Sequence, residues 1–113
     1  MKNFALGRLK SGVMNKTEAA YADYLEQQLS AGQLLWWKFE ALKLRLAANT
    51  FYTPDFLVMK KNREIQLCEV KGYWMDDARV KIKVASEMYP FFQFTAVKVR
   101  AKKHGGGWEE EEF

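Results

Sequence analysis

The chain has one cysteine, one histidine and two prolines in 113 residues. A single thiol, Cys68, excludes an intramolecular disulfide and any zinc site built on several cysteines. The lone histidine, His104, sits in a basic segment just before three glycines, and we assign it no catalytic role. No apolar run approaches the length of a membrane span. Phe4-Ala5-Leu6, behind a basic N-terminus, is too short for the apolar region of a signal peptide. These absences suggest work in a reducing cytoplasm, away from membranes.

What is present supports one small domain with a real core: 49% of residues are hydrophobic and 15% aromatic. The formal net charge is +4 and the sequence pI about 9.2, which favours a polyanionic partner. The charge is unevenly spread. Residues 1–108 hold all 18 Lys and Arg, whereas four of the 14 acids form the run Glu109–Glu112. We expect three parts: a flexible basic arm over 1–14 with Lys2, Arg8 and Lys10, a folded domain over 15–103, and a glycine-rich linker with an acidic, disordered-looking tail over 104–113.

The stretch Thr53–Trp74 organises the rest. Phe56-Leu-Val-Met and Ile65-Gln-Leu-Cys-Glu-Val-Lys flank a polar turn and predict a β-hairpin. Asp55 opens its first strand. Glu69 and Lys71, two residues apart, share a face of the second with Ile65 and Leu67. Charges at the end of an apolar row are costly unless they are paired or hold a metal. Aspartate, glutamate and lysine meeting there suit metal-assisted phosphodiester hydrolysis. Carboxylates bind Mg2+, with Mn2+ as a substitute, the cation activates phosphate and water, and a lysine steadies the water or the developing charge. Taken alone, Glu-x-Lys is common and is far more often a surface ion pair at a strand end. Cys68, out of phase with Glu69, reads as a buried structural thiol.

Asn15-Lys16-Thr17-Glu18 is a capping-box pattern opening a helix to about Ser30, with Gly32 beyond its end. Tyr21, Ala22, Leu25 and Leu29 form its apolar stripe. Glu18 has two candidate roles, the cap itself and a third carboxylate for the metal. Leu34–Leu46 reads as one strand or two. Leu42, Leu44 and Leu46 face one way there, Lys43 and Arg45 the other. Trp36 and Trp37 read as core or interface residues. Asp76-Asp77 cap a helix to about Tyr89 with Ala78, Ile82, Ala85 and Tyr89 inward and Arg79, Lys81 and Lys83 outward. Phe91–Ala101 is a last strand whose far end turns basic at Lys98 and Arg100. Lys43, Arg45, Arg79, Lys81, Lys83, Lys98 and Arg100 are the candidate DNA contacts, each of which also suits a solvated face.

The order of elements, with Pro54-Asp55 and Glu69-x-Lys71, resembles the PD-(D/E)xK nuclease superfamily over roughly Asn15–Val99. Tyr52-Thr-Pro-Asp-Phe-Leu57 and Glu69-x-Lys-Gly-x-Trp74, followed by Asp76, Asp77 and Arg79, most resemble the phage endonuclease I family of Holliday-junction resolvases. That resemblance implies an α/β, restriction-endonuclease-like αβββαβ core, with a central mixed sheet flanked by helices. It implies metal held by Asp55 and Glu69, joined by an acid of the first helix, for which Glu18 is the best match, with Lys71 completing the site; we add the backbone carbonyl of Val70 as an expected ligand. It further implies a homodimer, with strands exchanged between subunits, that cuts branched DNA. The alternatives are a nuclease of the same core without junction preference, acting in replication or repair, and a catalytically inactive DNA-binding module.

Overall fold

The computed structural model describes residues 12–73 and 76–113. Lys2, Arg8, Lys10 and Trp74 lie outside the described residues, as does the side chain of Asp76. The chain is α/β. In order it forms α1 (Lys16–Ser30), β1 (Leu34–Phe39), β2 (Leu44–Ala47), β3 (Thr50–Tyr52), β4 (Phe56–Lys60), β5 (Ile65–Lys71), α2 (Asp76–Met88), β6 (Gln93–Val99), a 3-10 turn (Lys102–His104) and β7 (Trp108–Glu112). Five strands make one mixed sheet in the order β1-β4-β5-β6-β7, and β2-β3 is a separate antiparallel pair. Among the described residues only β5 and β6 run parallel, the pairing that needs a long crossover, here supplied by α2.

Each face of the sheet is covered by different elements. On one side Tyr21, Ala22 and Leu25 of α1 pack on Phe56, Val58, Cys68, Val70 and Val97. On the other, Ile82 and Ala85 of α2 pack with Leu44 and Tyr52 on Leu57, Leu67, Phe94 and Ala96. Burial on both faces explains why β4 reads Phe-Leu-Val-Met, without the alternation of a half-wet strand. The β2-β3 pair is also tied to the end of α2, where the Tyr89 hydroxyl donates to the Arg45 carbonyl at 2.6 Å.

The capping box at the start of α1 forms as expected. Asn15 Oδ1 accepts from the Glu18 amide at 2.8 Å, and Glu18 Oε1 accepts from the Asn15 amide at 2.9 Å. Part of the expected arm is tied down, since the Gly12 amide donates to Glu40 Oε1 at 2.7 Å and Met14 packs against the core.

The acidic segment corrects the expectation of a disordered tail. Gly105, Gly106 and Gly107 all adopt positive φ, at 102°, 67° and 75°. That run of left-handed backbone is open to glycine and strained for other residues. It turns the chain so that Trp108–Glu112 pairs antiparallel with β6. Trp108 is the anchor, its ring 5.0 Å from Tyr21 at 85°. The glutamates then meet cations: both Glu111 carboxylate oxygens accept from Arg79, and Glu109 lies 3.6 Å from Arg100 Nε. A glutamate-rich edge strand also discourages pairing with further chains.

Candidate active site

The antiparallel register of β4 and β5 runs from Met59 opposite Ile65 to Phe56 opposite Cys68. One step further the chain bends at Pro54-Asp55 and β4 has ended. The amide of Val70 would lose its partner at that point. Asp55 supplies one, its Oδ2 accepting from the Val70 amide at 2.8 Å. The aspartate thus sits one residue before the strand rather than inside it, and is only 8% exposed. Within a strand, the N–H and C=O of one residue point to the same side. The Val70 carbonyl therefore faces the gap that Asp55 occupies.

Glu69 comes from the adjacent position of β5, with its side chain 12% exposed. Its Oε1 accepts from the Tyr52 hydroxyl at 2.9 Å. Its Oε2 lies 3.5 Å from Lys71 Nζ, whose side chain is 43% exposed and opens to solvent. Tyr52 is buried at the end of β3, and burial beside Glu69 pushes its hydroxyl far above the ordinary tyrosine range. It therefore remains a proton donor to the carboxylate.

A buried carboxylate and a half-buried one near one ammonium leave net negative charge in a poorly solvated place. Burial, then the neighbouring charge of Glu69, pushes Asp55 up to about 8, against the Val70 hydrogen bond and Lys71, which pull it down. Glu69 is also raised, by burial first, with Lys71 and the Tyr52 hydrogen bond opposing. The charge of Glu18 raises both groups, which places the first turn of α1 near the pair. Its carboxylate is nonetheless held in the capping box. Among the described residues, no three acidic, histidine or cysteine side chains converge closely enough to hold a metal by themselves.

The structure thus brings Asp55, Glu69, Lys71 and the Val70 backbone together, with Glu18 within electrostatic range. Sequence reasoning missed Tyr52 as a partner of Glu69. Its polar tip, three residues before Asp55, was the available signal.

The candidate DNA contacts divide. Arg79 and Arg100 are engaged by β7, and Lys98 stands opposite Glu109 in the register. Lys43 Nζ lies 4.6 Å from the Phe51 ring centroid, and Arg45 Nε donates to the Ala47 carbonyl at 3.3 Å. Lys81 and Lys83 are exposed on α2. Lys81 also lines an open hollow beside Lys71, together with Asn15, Gly72, Tyr73, Asp77 and Ala78.

No family model matches the chain, and no curated protein or solved structure matches it significantly. Among the described residues no helix is long and apolar enough to cross a membrane.

Proposed function

We propose that the protein is a metal-dependent endodeoxyribonuclease built on a restriction-endonuclease-like αβββαβ core, to which β7 adds a strand. The observation that carries this reading is the meeting of buried Asp55 and half-buried Glu69 at the end of the hairpin, with Lys71 3.5 Å from Glu69 and open to solvent. Such a pair is costly without a counter-cation. The donors on offer, carboxylate and carbonyl oxygens, suit a hard divalent ion such as Mg2+, with Mn2+ able to replace it.

Asp55, Glu69 and the Val70 carbonyl would hold the ion, and Glu18 would add its charge directly or through water. When bound, the cation would supply Lewis acidity, polarising a phosphate and making water easier to ionise. The protein groups do the rest. The Val70 amide fixes the Asp55 carboxylate, and Tyr52 fixes Glu69. The Lys71 ammonium stands where it can orient a water and offset charge that builds on the phosphate. Lys71, 43% exposed beside Glu69, is the member of the set that opens to solvent.

DNA is the substrate that fits a basic chain carrying such a site. By its resemblance to the endonuclease I family, we assign branched DNA, cut by a homodimer in the cytoplasm of the cell. Cleavage of a labelled four-way junction beside its linear duplex, with Mg2+ and with a chelator, tests both levels. Mg2+-dependent cutting of the junction alone supports the full reading. Equal cutting of both substrates supports a nuclease without junction preference. Binding without cleavage in either Mg2+ or Mn2+ refutes the enzyme.

A further inference from the structure

The hollow beside the acids shares Lys71 with the chemistry above and extends past it to Tyr73 and Lys81, which that chemistry does not use. It measures roughly 700 Å3, within the range of small-molecule sites. Two lysines, Lys71 and Lys81, line it with Tyr73, whose side chain is mostly solvent-facing at 71% exposure. Large exposed apolar or aromatic groups occur elsewhere, including Trp36, Phe51 and Phe91, but Tyr73 stands in the same hollow as the lysine paired with Glu69. Asp77 also lines the hollow, with its Oδ1 accepting from the Ala78 amide at 3.0 Å. A phosphate there belongs with the two lysines and away from that carboxylate.

We propose that this hollow is a subsite for one unpaired nucleotide of a DNA strand, its base stacked on Tyr73 and its phosphate held by Lys81 and Lys71. The inference rests on the nuclease reading and refines its substrate. A base inside a duplex already stacks on its neighbours and offers no free face to a side chain. An exposed ring next to paired cations takes a base that has been splayed out. Sequence tolerance follows, since every base has such a face. A strand that is single, flapped or opened at a branch point then presents its phosphate to the acids, while an intact duplex has to be unpaired first. Lys81 shares that phosphate with Lys71 from the far side of the hollow, so it acts in substrate binding and not in bond cleavage.

The test measures binding and cleavage separately. Binding of a fluorescent single-stranded oligonucleotide and of its duplex is followed by anisotropy with a chelator present. 2-Aminopurine within the single strand reports stacking. The wild-type chain is expected to bind the single strand more tightly and to quench the probe. Tyr73→Ala should weaken single-strand binding roughly 5- to 100-fold and abolish quenching, while duplex binding changes little. Tyr73→Phe should keep both, because the ring and not the hydroxyl is used. Unchanged circular dichroism shows that each variant is folded. Equal binding of both DNAs by the wild type overturns the subsite, as does a Tyr73→Ala variant that behaves like the wild type or a Tyr73→Phe variant that fails like Tyr73→Ala. Absence of Mg2+-dependent cleavage together with Tyr73-dependent binding would sink the nuclease reading and leave the subsite standing. Normal cleavage without any effect of Tyr73 would do the reverse.

Discussion

Replacing Asp55 by asparagine should make the metal-free protein more stable at high pH. The change keeps an oxygen that can accept from the Val70 amide, and it removes the more deeply buried of two neighbouring negative charges. Asp55 is displaced from its ordinary value of 3.8 to about 8. That corresponds to about 6 kcal/mol of unfavourable ionisation in the folded state. The sign follows from proton binding. Between pH 4 and 8 the unfolded aspartate has lost its proton while the folded one keeps it, so stability falls as pH rises through that window. Because the burden is shared with Glu69, we expect Asp55→Asn to gain roughly 2–4 kcal/mol at pH 9 and close to nothing at pH 4. Urea unfolding followed by circular dichroism, with a chelator present, measures the difference. Adding Mg2+ at pH 8 should stabilise the wild type and not the variant, because only the former has the full donor set. A wild-type stability that is flat from pH 5 to 9 would refute the reasoning, as would an asparagine variant that is less stable at pH 9.

Three further outcomes follow from named contacts. Tyr52→Phe removes the hydrogen bond that holds Glu69 down. It should weaken cation affinity about 10- to 100-fold and move the acidic limb of the cleavage profile to higher pH, as read from rates across a pH series. Trp108→Ala should cost roughly 3 kcal/mol in urea unfolding, because the ring packs against Tyr21 and Tyr24; a loose tail would give almost no change. Cys68 is fully buried and its thiol is pushed up to about 12. It should resist a thiol reagent in native protein at pH 8 and react once the chain is unfolded, which absorbance of the released chromophore reports.

The parts of the fold with local chemistry were legible in the sequence. Asn15 and Glu18 announced the helix start, and the two halves of the hairpin announced themselves by apolar content around a polar turn. Asp55 and the Glu69-Lys71 couple were identifiable because charged residues at the end of apolar rows need partners. The acidic strand was not legible, because four consecutive glutamates carry neither alternation nor strand propensity. Its structure comes from outside the segment, from the β6 edge, the Trp108 anchor and two arginines. The same long-range pairing hid the fate of Arg79 and Arg100, which read as an open basic surface and instead face glutamates more than thirty and nine positions away. The role of Tyr52 was hidden likewise, since its hydroxyl meets Glu69 only after β3 has folded over the sheet.

The most direct measurement is the single-turnover cleavage rate of a labelled four-way junction in Mg2+, for wild-type protein beside Asp55→Asn and Lys71→Met, all three verified as folded. We expect cutting by the wild type and a fall of at least about 100-fold in each variant, since one would remove a ligand of the ion and the other the lysine that would offset charge on the reacting phosphate. Cutting that survives both substitutions, or a wild-type protein that cuts no DNA in Mg2+ or Mn2+, would contradict the account.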